Sequence, residues 1–126
     1  MFVTYPTAVA VPVTQDFSSA TFPPAGFGTV ASVGSEIWNR AAVSQGGGSG
    51  SAESMFYEIQ SGALDLYLPK TDINMAGQTA ASLDFFEAYT YYTSGGNSLY
   101  DTLQVLASTN CGNSWQTIWE ASGVAL

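Results

Sequence analysis

The chain has 126 residues, enough for one domain with a core of its own. Two basic residues stand against ten acidic ones, a net charge of −8, and there is no histidine. Phosphate binding needs clustered Lys and Arg, so nucleic acid and anionic membrane surfaces are poor partners for this chain. The lack of histidine excludes Ser-His-Asp catalysis and removes a principal zinc ligand.

In chain order, residues 1–14 read as a linker or a first edge strand, because Pro6 and Pro12 interrupt ladder pairing. Residues 15–126 form the domain proper. Phe22-Pro23-Pro24-Ala25-Gly26-Phe27 is a rigid turn, with proline fixing φ and Gly26 permitting a positive one. Trp38-Asn39-Arg40 lies in a short strand, and residues 45–51, QGGGSGS, form a flexible loop. Strands are predicted at Ser54 to Ile59 and Leu64 to Leu68, the second closed by Pro69, with a turn region over Thr71 to Thr79.

The longest predicted strand is Ala81 to Tyr92. Leu83, Phe85, Glu87, Tyr89 and Tyr91 share one face, and aromatics on both faces point to a central, covered strand. Residues 94–98, SGGNS, are read as a loop. A hairpin follows: Leu103, Val105 and Ala107 alternate with their neighbours, Asn110, Gly112, Asn113 and Ser114 supply turn chemistry, and Trp115, Thr117 and Trp119 resume the alternation. No stretch has sustained helical periodicity. Short strands separated by Gly, Pro and Asn turns predict an all-β, jelly-roll-like antiparallel β-sandwich.

The single cysteine, Cys111, forms no internal disulfide and reads as a small packed side chain. No run is long enough to span a membrane, so membrane insertion is not expected. The opening MFVTYPTAVAVPV lacks the basic region of a signal peptide.

Three motif groups occur in an order that resembles a known family. The first is Asp16-Phe17 with Phe22-Pro23-Pro24-Ala25-Gly26-Phe27. The second is Trp38-Asn39-Arg40, a Gly/Ser loop and Ser51-Ala52. The third runs from Leu83-Asp84-Phe85 to Tyr92, then Asp101-Thr102-Leu103-Gln104-Val105 and Ser108 to Trp115. Together they look like the MAM-like jelly-roll domains, the choice-of-anchor J and cleaved-adhesin type modules, of secreted surface proteins of the Bacteroidetes group. The resemblance covers roughly residues 15–126. The chain departs from it at Phe27, where the family usually has Trp, and at Ser18, where an acidic residue is common.

The family continues past the hairpin with further strands. The resemblance therefore implies a sandwich incomplete at its C-terminal end, completed by more of the same polypeptide or by a partner chain. It also implies a non-catalytic extracellular or cell-surface module, exported by a type IX-like route, that binds a glycan or protein surface ligand. Alternatives are an accessory domain of a secreted hydrolase, most plausibly a metallopeptidase, and a strand-sharing structural subunit of a surface filament or secretion complex.

The resemblance further implies calcium, held between the opening segment and a later strand, with Asp16 and Asp101 at the matching positions. The alternative is that both are strand-end turn residues. Ser108 to Trp115 resembles the Asp-box, with Asn110 in place of the Asp, in which polar side chains tie a turn to its own backbone above a packed Trp. Glu87 on an aromatic face would need a partner such as Arg40 if buried. Asp84 and Glu87, three apart on a strand, would point to opposite faces and do not make a glycosidase pair. Tyr89, Tyr91, Tyr92, Tyr100, Trp115 and Trp119 serve either core packing or a platform for sugar rings.

Overall fold

The computed structural model describes residues 8–31, 38–55, 65–69, 72–90 and 92–126. Among the described residues ten strands lie in this order: β1 Val9–Ala10, β2 Phe27–Ala31, β3 Trp38–Ala41, β4 Ser51–Ser54, β5 Asp65–Pro69, β6 Ile73–Asn74, β7 Tyr92–Ser94, β8 Asn97–Leu99, β9 Thr102–Ala107 and β10 Gln116–Ser122. A short 3-10 turn, Gly123–Ala125, follows. Among the described residues there is no α-helix, so the class is all-β. Among the described residues the ladders are two-stranded: β1 with β6 in parallel, and β2 with β5, β3 with β4, β7 with β8 and β9 with β10 antiparallel.

The chain divides into two compact units, Val3–Phe86 and Glu87–Leu126. In the first, the Pro-rich turn closes through the Phe27 N–H donating to the Pro24 carbonyl at 3.0 Å, with Gly26 at φ +85°. Its exit sets Phe27 at the start of β2, opposite Pro69 of β5. Pro69 suits the end of an edge strand, because it has no N–H to offer the ladder. Leu64 and Phe56 to Ile59 lie outside the described residues, and β4 begins at Ser51, earlier than the Ser54 expected from sequence.

Two sequence expectations in the second half are corrected. Residues 81–90 make no strand and are exposed apart from a half-buried Tyr89; the strand begins at Tyr92. Alternation records a side-chain pattern, whereas a strand requires a ladder partner, and β-propensity is subordinate to that context. Glu87 is exposed and has no need of Arg40. The SGGNS stretch is shorter as a loop than expected: Ser94 pairs with Asn97 across Gly95 and Gly96, at φ +59° and +82°. Two successive positive φ values match the right-handed twist of a two-residue hairpin, which only glycine enters without strain.

The β9–β10 hairpin follows its pattern. Leu103, Val105, Trp119 and Ala121 are half-buried on one face, while Thr102, Gln104, Glu120 and Ser122 are exposed on the other. The pairings Trp119 with Val105 and Ala121 with Leu103 keep like beside like, and Gln104 donates to the carboxylate of its cross-strand partner Glu120. A bulge between Thr117 and Trp119 makes Ile118 the extra residue and leaves it exposed. Among the described residues no large apolar side chain is fully buried.

Candidate functional site

In the first unit, the opening segment, β3 and the glycine loop converge. Side chains cap N–H groups within residues 15–21: Phe17 N–H donates to Gln15 Oε1 at 2.9 Å, Ser18 N–H to Asp16 Oδ1 at 3.0 Å, and Thr21 N–H to Ser19 Oγ at 3.2 Å. These local bonds fold the chain into a tight turn and hold Phe17 at φ +53°, an uncommon conformation for an aromatic residue.

Arg40, half-buried on β3, fixes that turn to the loop. Its Nε donates to the Phe17 carbonyl at 2.8 Å and its Nη2 to the Ser49 carbonyl at 2.9 Å. The planar guanidinium makes both bonds at once, which a point-charge ammonium would not match in geometry. The glycines explain how the backbones come so close. A Cβ on Gly48 would lie 2.5 Å from the Asp16 carbonyl oxygen, and one on Gly50 would lie 2.7 Å from both the Arg40 guanidinium carbon and the Phe17 carbonyl oxygen. The loop expected to be flexible is therefore anchored through its second half, and Gly50 is buried.

Asp16 is exposed. Its carboxyl is held below the ordinary 3.8, chiefly by the Ser18 backbone N–H and then by the Ser18 side chain. Asp101, in the second unit, is half-buried and tied to Tyr89: the tyrosine hydroxyl donates to Asp101 Oδ2 at 3.2 Å and accepts the Asp101 N–H at 3.0 Å. Burial raises the Tyr89 hydroxyl above its ordinary 10.0, and the Asp101 charge adds to this, while the Asp101 N–H works the other way. Calcium takes six to eight oxygen ligands. Among the described residues no three acidic, Cys or His side chains gather to hold a metal.

The turn at 108–115 follows the Asp-box pattern in its hydrogen bonds. Ser108 Oγ accepts the N–H of Asn110 at 3.3 Å and of Gly112 at 2.8 Å, and donates to Asn110 Oδ1 at 3.0 Å. Asn110 Oδ1 accepts the Ser114 N–H at 2.9 Å, its Nδ2 donates to Ser114 Oγ at 2.8 Å, and Asn113 Nδ2 donates to the Asn110 carbonyl at 2.8 Å. Cys111 and Gly112 stand at φ +57° and +78°. One expectation fails at this turn. Cys111 is exposed rather than packed, at the left-handed tip of the turn. Trp115 is 40% exposed.

Sequence reading singled out Asp16, Asp101 and the Asn110 turn, but missed the Arg40 clamp and the Tyr89–Asp101 tie. A scarce cation followed by four glycines within ten residues was the available signal for the clamp. No family model, no curated protein and no solved structure matches the chain. Among the described residues, no helix is long and apolar enough to cross a membrane.

Proposed function

We propose that this chain is a non-catalytic adhesion or binding module of a secreted or cell-surface protein, built as a jelly-roll-like β-sandwich and exported by a type IX-like route. The observation that carries the reading is the Arg40 clamp. It joins Asp16-Phe17 to the Gly/Ser loop, two of the segments whose order underlies the resemblance to MAM-like modules. A rigid frame bearing anchored loops is the physical content of such a module, since loops positioned on a scaffold carry recognition. Calcium is its proposed cofactor, and a glycan or protein surface its proposed ligand.

The test is binding of the chain to immobilised neutral and acidic glycans and to matrix proteins, with and without calcium or chelator. Saturable binding to any surface supports the reading; none across all of them overturns it. Strand sharing in a filament or secretion complex is the second reading. It is favoured by the lack of any fully buried large apolar side chain among the described residues and by ladders of two strands each. Light scattering decides it, because a strand-sharing subunit forms concentration-dependent assemblies and a free module does not.

A further inference from the structure

We propose that the Phe86–Glu87 peptide bond is a proteolytic processing site, cut by an endopeptidase with an apolar specificity pocket, and that the cut separates the two compact units of the chain. The inference goes beyond the adhesion reading and does not depend on what the module binds.

The topology singles out this bond. Among the described residues, β1 to β6 pair only with one another, and so do β7 to β10. No ladder among them crosses residues 81–90, and the boundary between the compact units falls between Phe86 and Glu87. A cut there breaks one covalent link and no strand pairing.

The backbone has the form a protease requires. Residues 80–90 run without a turn, bend or ladder, and residues 81–88 are all exposed. An endopeptidase takes its substrate as an extended strand laid along the cleft, with main-chain hydrogen bonds to the enzyme, as in strand addition to a sheet edge. Backbone held in a ladder must open first, and the population of the open form then limits cleavage. Residues 81–90 have the alternation of a strand without a ladder, so they enter a cleft with no pairing to break.

The side chains set the enzyme class. Phe86 is 77% exposed, more than any other aromatic among the described residues. An apolar slot accepts such a ring. The two basic residues of the chain, Arg40 and Lys70, lie outside the segment, which excludes an enzyme specific for basic residues. Hydrolysis adds one water across the bond, leaving a carboxylate on Phe86 and an amine on Glu87.

The test is limited digestion of the full chain, with the initial rate at each site read by mass spectrometry of the new termini. Chymotrypsin probes the aromatic sites and a glutamate-specific endopeptidase the acidic ones. Tyr92 and Tyr100 are 56% and 57% exposed, but Tyr92 is in β7 and Tyr100 lies between β8 and β9. Glu53, Glu87 and Glu120 are all exposed, but Glu53 is in β4 and Glu120 in β10. Side-chain exposure alone gives similar rates within each set. The expected result is cleavage after Phe86 and after Glu87 at least about tenfold faster than at these ladder-bound or ladder-flanking sites. Glu87→Gln should abolish the glutamate-specific cut there and leave the chymotrypsin cut after Phe86 in place, and Phe86→Gln should do the reverse. Thermal melts check that both variants fold; if either does not, the site rates in the unaltered chain decide. Circular dichroism of the singly cut protein should match that of the intact chain, because no ladder is lost. Cleavage after Tyr92, Tyr100, Glu53 or Glu120 as fast as that after Phe86 and Glu87 overturns the site. Loss of the β-sheet signal on the single cut overturns the separation of the units.

Discussion

Arg40 holds the carbonyl of Phe17, with Nε 2.8 Å from the oxygen across twenty-three residues of sequence. The same guanidinium takes the Ser49 carbonyl at 2.9 Å. One side chain therefore closes the opening turn and the glycine loop together. Hydrogen bonds from a charged donor contribute about 1.5–3 kcal/mol each, less where water competes. Arg40→Ala should destabilise the protein by about 2 kcal/mol, read as a lower urea midpoint with an unchanged slope. Arg40→Lys should recover less than half of the loss, because an ammonium does not match the fork geometry.

The glycines of the loop are not equivalent, and alanine substitution separates them. A methyl at Gly50 meets the Arg40 guanidinium carbon and the Phe17 carbonyl oxygen, both at 2.7 Å. A methyl at Gly46 meets the Phe86 ring at 2.9 Å, and that ring is 77% exposed and free to swing away. Gly50→Ala should cost about 1–3 kcal/mol, as overpacking against fixed atoms does. Gly46→Ala should stay within about 0.5 kcal/mol, the range of ordinary surface changes. Equal midpoints for the two variants in chemical denaturation would remove the clamp as the reason for Gly50.

The 108–115 turn predicts a contrast at a single position. Asn110→Ala deletes the acceptor of the Ser114 N–H and the partner of the Ser114 hydroxyl. The expected loss is about 1 kcal/mol in the melt. Asn110→Asp keeps an acceptor for the N–H, and the Ser114 hydroxyl can turn to donate, so its melt should lie close to that of the unaltered protein. Cys111→Gly should be neutral or stabilising by a few tenths of a kcal/mol, because φ +57° disfavours any side chain and glycine's unfolded-state entropy offsets part of the relief.

Stability should fall at both ends of the pH range, for different residues. The folded state lowers the Asp16 carboxyl, so its contribution is present above the ordinary 3.8 and is lost as pH falls through the lower folded value. The folded state raises the Tyr89 hydroxyl, so its contribution is present below 10.0 and is lost as pH rises through the higher folded value. Tyr89→Phe should flatten the alkaline arm and lower stability at neutral pH by about 1–2 kcal/mol, since the Asp101 N–H and carboxylate lose their partner. Asp16→Asn should flatten the acid arm. Thermal melts across pH read both, and tyrosinate absorbance reads the hydroxyl directly.

Local chemistry was the most legible part of this chain. The β9–β10 hairpin, the Pro-rich turn and the Asn110 turn are each written within fewer than about twenty-five consecutive residues, where period-two alternation and turn residues act directly. The strand at Trp38 to Arg40 was legible for the same reason. Residues 81–90 mark where this ceases to hold. Leu83, Phe85 and Phe86 have the pattern of a buried strand, yet they are exposed and outside any ladder.

The sequence by itself determined the all-β class, the hairpin and its half-buried face, and the self-bonded turn, because those depend on neighbours a few residues apart. Only the tertiary structure decided that Arg40 spans Phe17 and Ser49, that Gly48 and Gly50 are needed for close approach, and that Tyr89 is tied to Asp101. Each depends on where distant backbone atoms meet. Carbonyl oxygens look alike at every position in a sequence, so which of them an arginine will reach is settled by the folded path of the chain.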